Sequence, residues 1–135
     1  MIVGVGIDIL QVPRLAQLVQ RRGINRLARR ILSKDEVVEW KREKSKNEND
    51  ASEQLSFLAV RWTAKEAAFK ALFPTVKISW KDIQVSKEGG LKPMMALLPR
   101  NDAANYEAPR NQFKLHLSVS HDGNYVASVV LAEHG

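Results

Sequence analysis

The chain begins with a segment in which apolar residues recur at every second position. Over residues 1–10, valine or isoleucine stands at positions 3, 5, 7 and 9, which is typical of a β-strand. Gly4, Gly6 and Asp8 share the opposite face of that strand. Glycine has no side chain, so this face permits the close approach of another element. Asp8 is therefore predicted either to project from a cleared surface or to cap the turn that follows.

Two short helices are predicted next, because the apolar spacing changes from two to between three and four residues. The first covers residues 13–20, with Pro13 in its first turn and Gly23 as its terminator. The second covers residues 25–31.

A capping box marks the start of a third helix. The Ser33 hydroxyl and the Glu36 carboxylate stand three residues apart, where they can satisfy free backbone amides at a helix start. This helix is predicted to run through residue 40 toward residue 44. The polar stretch 45–54 that follows is predicted to be an exposed loop.

The strongest helical pattern covers residues 55–72 and ends before Pro74. Apolar side chains occur on most sides of it, which indicates a largely buried helix. Glu66 and Lys70 stand four residues apart, so their side chains leave the same face. On a solvated face this would be an ion pair worth about 0.3–0.5 kcal/mol. In a buried helix the two charges would need further partners or a ligand, because desolvation is costly.

The rest of the chain predicts an antiparallel sheet. Four strand-like segments form two hairpins: residues 78–86, 94–98, 113–120 and 125–132. Glycines at 88–93 and the turn at 122–124 connect them, and residues 100–108 are ambiguous, with a short helix as one interpretation. The fold class is α+β, with a long central helix packed on an antiparallel sheet in a single domain over residues 1–135.

Composition limits the kinds of protein this chain can be. An apolar fraction of 44% and a charged fraction of 27% are ordinary for a soluble domain. The absence of cysteine excludes disulfides and thiolate metal sites. No apolar run approaches the ~20 residues that cross a bilayer, and no signal-peptide pattern opens the chain. We therefore expect no membrane partner and a cytoplasmic location, or a mitochondrial one if the source is eukaryotic.

The net charge of +6 indicates an anionic partner, such as nucleic acid, a phosphorylated cofactor or an acidic protein. No aromatic residue is interleaved with the early arginines, and no zinc-finger or RNA-binding signature occurs, which disfavours nucleic acid. A basic nucleic-acid-binding module without catalysis is retained as the alternative function. The early arginines are Arg14, Arg21, Arg22, Arg26, Arg29 and Arg30.

Three separated segments carry a family resemblance. They are Gly6-Ile7-Asp8, the helical stretch from Arg61 through Lys65-Glu66 to Lys70, and Leu117-Ser118-Val119-Ser120-His121. In this order and at these separations they resemble the 4′-phosphopantetheinyl transferases, specifically the short holo-acyl-carrier-protein synthase type. The resemblance implies transfer of phosphopantetheine from coenzyme A to a serine of an acyl carrier protein.

The resemblance also implies roles for individual residues. Asp8 and Glu66 match the family's Mg²⁺ carboxylates, and Mg²⁺ prefers such oxygen ligands. Glu66 and Lys70 are the expected catalytic residues, with Lys70 stabilising charge on the transferring phosphate or the leaving group. Arg61, Lys70 and His121 are the expected substrate-binding residues. Either Glu66 or a metal-bound water can serve as the general base, and the sequence does not choose between them.

The expected partners are coenzyme A and an acyl carrier protein. Acyl carrier proteins are acidic around the modified serine, so Arg14, Arg21 and Arg22 are predicted to dock one. The resemblance further implies a homotrimer with active sites between subunits, since each chain supplies only half of a cleft.

Overall fold

In a computed structural model, the described part of the chain folds into helices packed on an antiparallel sheet, which confirms the α+β prediction. The structure describes residues 1–46, 50–87, 90, 92–100 and 109–135. The helices and strands are, in chain order, β1 (Ile2–Gln11), α1 (Val12–Arg22), α2 (Ile24–Ile31), α3 (Lys34–Lys46), α4 (Ala51–Leu72), β2 (Ile83–Ser86), β3 (Met94–Leu97), β4 (Phe113–Asp122) and β5 (Tyr125–His134).

The sheet is ordered β1-β5-β4-β3-β2, and its neighbouring strands run antiparallel. The first strand therefore lies at one edge, paired with the last. In that pairing Asp8 stands opposite Ser128 and Ile7 opposite Val129. Because facing residues point to the same side of a sheet, Asp8 and Ser128 both lie on the side that carries α4.

The glycine face of β1 packs against the backbone of α4. A Cβ built on Gly6 would lie 1.9 Å from the carbonyl oxygen of Ala67, and one built on Gly4 would lie 2.0 Å from that of Ala71. The predicted close approach is thus confirmed, and the approaching element is α4. This contact brings the end of β1, with Asp8, beside the last turns of the helix.

Two apolar clusters enclose α4. One lies between α4 and the sheet, and the other lies between α4 and α1 to α3. The expectation of a largely buried helix is correct for many positions, including Ala64, Ala67 and Leu72. It is wrong for Lys70, whose side chain is half exposed, because the line from Glu66 to Lys70 falls at the margin between the two clusters.

The end of α1 and the start of α3 follow the predicted signals. Gly23 terminates α1 with φ of 84°, a conformation that suits glycine. The capping box before α3 is present, since the Ser33 amide donates to Glu36 Oε1 and the Glu36 amide donates to Ser33 Oγ. These ends were predictable because neighbouring residues determine them.

The predicted loop over residues 45–54 is wrong at both ends. Helix α3 continues to Lys46, and α4 begins at Ala51, a turn before the predicted start. Asp50 caps α4 by accepting a hydrogen bond from the Glu53 amide. The remaining residues, 47–49, lie outside the described residues.

The predicted strand over 78–86 is shorter than expected. Ser79 and Asp82 form reciprocal caps around a 3₁₀ turn, Trp80–Asp82, so the strand starts only at Ile83. Strands β2 and β3 pair antiparallel as predicted, although residues 88, 89 and 91 between them lie outside the described residues. The short helix considered for 100–108 falls almost wholly on residues 101–108, which also lie outside.

One face of the sheet edge is apolar and exposed. Val5, Ile7 and Ile9 of β1 are 60%, 66% and 65% exposed, and Val129 of β5 continues this patch. Within the described residues no helix covers it. None of the described helices is long and apolar enough to cross a membrane.

Candidate active site

Asp8 and Lys70 meet where β1 passes α4. The Lys70 ammonium donates to the Ile7 carbonyl at 2.9 Å and lies 3.2 Å from Asp8 Oδ1. The Asp8 side chain is mostly buried, whereas that of Lys70 is half exposed. The ammonium therefore covers one side of the carboxylate while remaining in contact with solvent.

Glu66 lies one helical turn before Lys70 and faces the same carboxylate. Burial raises the pKa of Glu66, the negative charge of Asp8 raises it further, and the Lys70 ammonium lowers it in part. Asp8 of β1 and the Glu66 and Lys70 pair of α4, predicted from two separate parts of the sequence, are thus brought together. Two acidic groups that repel one another in this way form a suitable place for a cation.

A cleft of about 470 Å³ opens on the two carboxylates. Its lining includes Asp8, Glu66 and Trp62 together with Arg14 and Arg21 of α1. The two arginines are exposed. The cleft therefore combines a carboxylate pair with a basic rim.

Arg22, the third predicted docking residue, lines a neighbouring cavity of about 220 Å³. Arg26 and Arg30 of α2 lie around the same cavity, and Trp62 and Trp80 form part of its wall. The basic surface predicted from α1 thus continues over α2.

The donor set suits a hard divalent cation bound in an open site. Among the described residues, no three His, Cys, Asp or Glu side chains come together as a metal site. Asp8 and Glu66 provide two carboxylates, and Mg²⁺ is commonly held by one or two carboxylates together with substrate phosphates and water. The residues present therefore fit Mg²⁺.

Arg61 points away from the carboxylate pair. Its guanidinium lies 3.5 Å from Glu39 Oε2 of α3, donates to the Phe57 carbonyl and stacks 3.5 Å above the Phe57 ring. The residue is 4% exposed, and it does not line the described walls of either cavity that contains Glu66. Its expected contact with coenzyme A stays a prediction.

His121 also lies apart from the carboxylates of its own chain. It is exposed near the end of β4, opposite Val126, and β5 separates its strand from β1. With strands spaced about 4.8 Å apart, β4 lies roughly 10 Å from β1. His121 does not line the described walls of the cleft.

The sequence did not predict a buried ion pair beside the site. Lys65 Nζ lies 2.5 Å from Glu36 Oε1, and the two side chains are 2% and 1% exposed. Desolvation by burial lowers the pKa of Lys65, and the Glu36 carboxylate opposes this. The only sequence signal for this pair is that Glu36 and Lys65 each stand among apolar residues of their helix. The local pattern alone does not distinguish such a charge from one on the surface.

A family model described as the 4′-phosphopantetheinyl transferase superfamily matches residues 4–130. This chain belongs to that superfamily. The protein named holo-acyl-carrier-protein synthase in Koribacter versatilis is 38% identical over 136 residues, which cover 98% of this chain and 100% of that protein. The one of the same name in Polaromonas sp. is 36% identical over 135 residues, 98% of this chain and 97% of the relative.

Solved structures show the same fold. The Bacillus anthracis holo-acyl-carrier-protein synthase in complex with CoA (3′,5′-ADP) has a TM-score of 0.74 and 27% identity, covering 100% of this chain and 99% of that chain. The Helicobacter pylori enzyme in complex with coenzyme A has a TM-score of 0.68 and 30% identity, covering 96% and 99%.

Proposed function

We propose that this chain is a holo-acyl-carrier-protein synthase. It transfers 4′-phosphopantetheine from coenzyme A to a serine of an apo acyl carrier protein and releases adenosine 3′,5′-bisphosphate. Membership of the superfamily and the names of the full-length relatives support this function. The observation that carries it is the meeting of Asp8, Glu66 and Lys70 beside a cleft that the two carboxylates line together with arginines of α1.

Asp8 and Glu66 are proposed to hold Mg²⁺. When bound, the cation neutralises charge on the pyrophosphate of coenzyme A, which would otherwise repel the incoming hydroxyl. The chain's own contribution is to hold two carboxylates at a fixed separation, one on a strand and one on a helix, through the glycine contact between the two backbones.

Lys70 is proposed to stabilise negative charge that develops on the transferring phosphate or the leaving group. Its half-exposed ammonium can exchange the Asp8 contact for a phosphate oxygen. Glu66 lines the cleft and is one group that can accept the serine proton. Transfer of that proton to a water held in the cleft is the other route.

Arg14, Arg21 and Arg22 are proposed to dock the acidic carrier protein. Arg14 and Arg21 line the same cleft as the two carboxylates, so a carrier held by these arginines would place its serine close to the carboxylates. Arg22 extends the same positive surface. Complementary charge of this kind mainly raises the encounter rate and fixes orientation.

The working assembly is proposed to be a homotrimer, as the family resemblance implies. The exposed apolar patch on β1 and β5 supplies a surface that association would bury. His121 is exposed and apart from its own carboxylates, so we propose that it serves the cleft of a neighbouring subunit. Sedimentation at working concentration tests the assembly, and a monomer there would contradict it.

A mass-shift assay tests the proposed reaction. The purified chain, coenzyme A, Mg²⁺ and an apo carrier protein should give a carrier whose mass has increased by one phosphopantetheine, and a chelator should prevent the increase. Asp8→Ala and Glu66→Ala should each abolish it, whereas Asp35→Ala, an exposed carboxylate on α3, should not.

Full activity in either of the first two variants would disprove the metal assignment. No mass gain by the unmodified chain, together with salt-sensitive binding to nucleic acid, would instead favour the basic binding module.

A further inference from the structure

The Lys65 ammonium has three acceptors within hydrogen-bond distance, and all are inside the protein. They are Glu36 Oε1 at 2.5 Å, the Ile31 carbonyl at 2.6 Å and the Trp80 carbonyl at 2.9 Å. An ammonium has three hydrogens to donate. Every donor is thus used, and the contacts join α4 to α3, to the end of α2 and to the 3₁₀ turn before β2.

The partner carboxylate is equally engaged. Glu36 Oε1 also accepts from the Ser33 amide at 2.7 Å, and Oε2 accepts from the Val85 amide at 3.0 Å. A buried pair whose remaining hydrogen-bonding capacity is satisfied in this way is a rigid junction, because moving any one element leaves a charge or an amide without a partner.

Lys65 of this junction forms part of the wall of a cavity next to Glu66. Lys65, Glu66, Phe69, Ser79 and Trp80 line a space of about 250 Å³. The arginines proposed to dock the carrier line two other cavities, so this space is separate from the proposed carrier surface. The apolar rings and the hydroxyl of this space suit a neutral, partly apolar portion of a ligand whose phosphates lie at the carboxylates.

The Trp80 indole also packs against Trp62, with ring centroids 5.0 Å apart, and Trp62 forms part of the wall of the carboxylate cleft. Holding the Trp80 carbonyl therefore affects the shape of both spaces that border Glu66.

We infer that Lys65 is a positioning residue for coenzyme A: its ammonium holds Trp80 and the Glu66 turn of α4 together and so fixes the cavity that receives a non-reacting portion of that substrate. This inference rests on the proposed function. The Lys65 ammonium has no hydrogen-bond donor left for the substrate, since all three are used within the protein. A cavity held in its bound shape avoids an ordering cost on binding.

The test is the paired variant Lys65→Met with Glu36→Gln. Removing Lys65 alone would leave the Glu36 carboxylate buried without its partner and can prevent folding, whereas the paired change removes both charges. The matched control is Thr63→Val, which breaks another buried polar contact of α4, the 2.7 Å hydroxyl pair with Ser128. Circular dichroism and thermal unfolding first establish a temperature at which all chains are folded.

Two measurements then follow at that temperature. Calorimetric titration with coenzyme A gives its dissociation constant, and the mass-shift assay gives kcat and KM. The paired variant should bind coenzyme A about 10-fold more weakly with kcat changed less than about threefold, because uniform binding is lost and not the transition-state contact. The control should keep its affinity. Tryptophan emission should shift in the paired variant, and the shift should disappear when Trp80→Phe is added.

The outcomes separate the inference from the function on which it rests. Unchanged affinity and emission in the paired variant, or a loss of kcat at constant KM, would overturn the positioning role. An equal loss of affinity in the Thr63→Val control would do the same, since general destabilisation would then explain both. If the unmodified chain binds no coenzyme A and modifies no carrier, the proposed function fails, and this inference fails with it.

Discussion

Replacing Gly6 with alanine tests whether contact between two backbones sets the spacing of the carboxylates. The new Cβ would lie 1.9 Å from the Ala67 carbonyl oxygen and 2.7 Å from the Ala71 amide nitrogen. Ordinary contact begins at 3.4 Å, so strand and helix must separate locally by about 1.5 Å. Asp8 lies two residues further along the strand and would move away from Glu66.

The expected loss has two parts. Overpacking of this size typically costs about 1–3 kcal/mol, which corresponds to a fall in Tm of roughly 3–12 °C for a chain of this length. A displacement of about 1 Å at a catalytic group can lower the rate about 100-fold. Thermal unfolding measures the first part, and the initial rate of the carrier mass shift, taken well below Tm, measures the second.

Two further variants separate the clash from other effects of the substitution. Gly23→Ala places a side chain at φ of 84° and ψ of 140° with no atom within 4 Å, so it should cost roughly 1–3 kcal/mol through backbone strain alone and leave the rate unchanged. Adding Ala67→Gly to Gly6→Ala should not restore activity, because the clashing atom belongs to the backbone. A Gly6→Ala chain with unchanged Tm and full activity would refute the argument.

Three other substitutions give distinct results. Lys70→Met should change Tm by only a few degrees, since the ion pair of the half-exposed Lys70 with Asp8 contributes at most about 1 kcal/mol. The same variant should lower the initial rate about 100-fold, because charge on the phosphate is no longer stabilised. A rate within threefold of the unmodified chain would exclude this role of Lys70. Burial raises the pKa of Asp82, but the Ser79 amide, Arg110 and Arg100 together lower that pKa by more. The ionised Asp82 carboxylate therefore stabilises the fold fully above about pH 4, and this stabilisation is lost as the pH falls through the lowered pKa. Urea unfolding should therefore show a smaller acid-induced loss of stability in Asp82→Asn than in the unmodified chain. Arg14→Glu with Arg21→Glu should raise KM for the carrier but not for coenzyme A, with a smaller effect at high salt; equal effects on both KM values would count against docking.

Local signals predicted the elements well where neighbouring residues decide the outcome. The terminator Gly23 and the Ser33–Glu36 capping box depend on residues only a few positions apart. The same physics explains the errors. Asp50 belongs to a polar stretch that resembles a loop, yet its side chain caps a helix, and Ser79 with Asp82 closes a turn inside a segment that alternates like a strand.

The sequence predicts which residues form the candidate site better than it predicts the packing of the helices around them. The family resemblance predicts Asp8, Glu66 and Lys70 as members of the site. Their proximity depends on the contact between β1 and α4, and the glycines on one face of β1 indicate a close contact without specifying its partner. The burial of Lys65 and Glu36 depends on how α2 and α3 pack over α4. Helical periodicity carries no information about that packing.

If the proposed homotrimer forms through the exposed apolar patch on β1 and β5, the activity of this protein will depend on its concentration. In the proposed homotrimer, subunits that come apart on dilution would return Val5, Ile7 and Ile9 to water and leave each cleft without its neighbour's His121. Specific activity should then fall as enzyme concentration falls. Turnover measured with dilute enzyme would then be an underestimate.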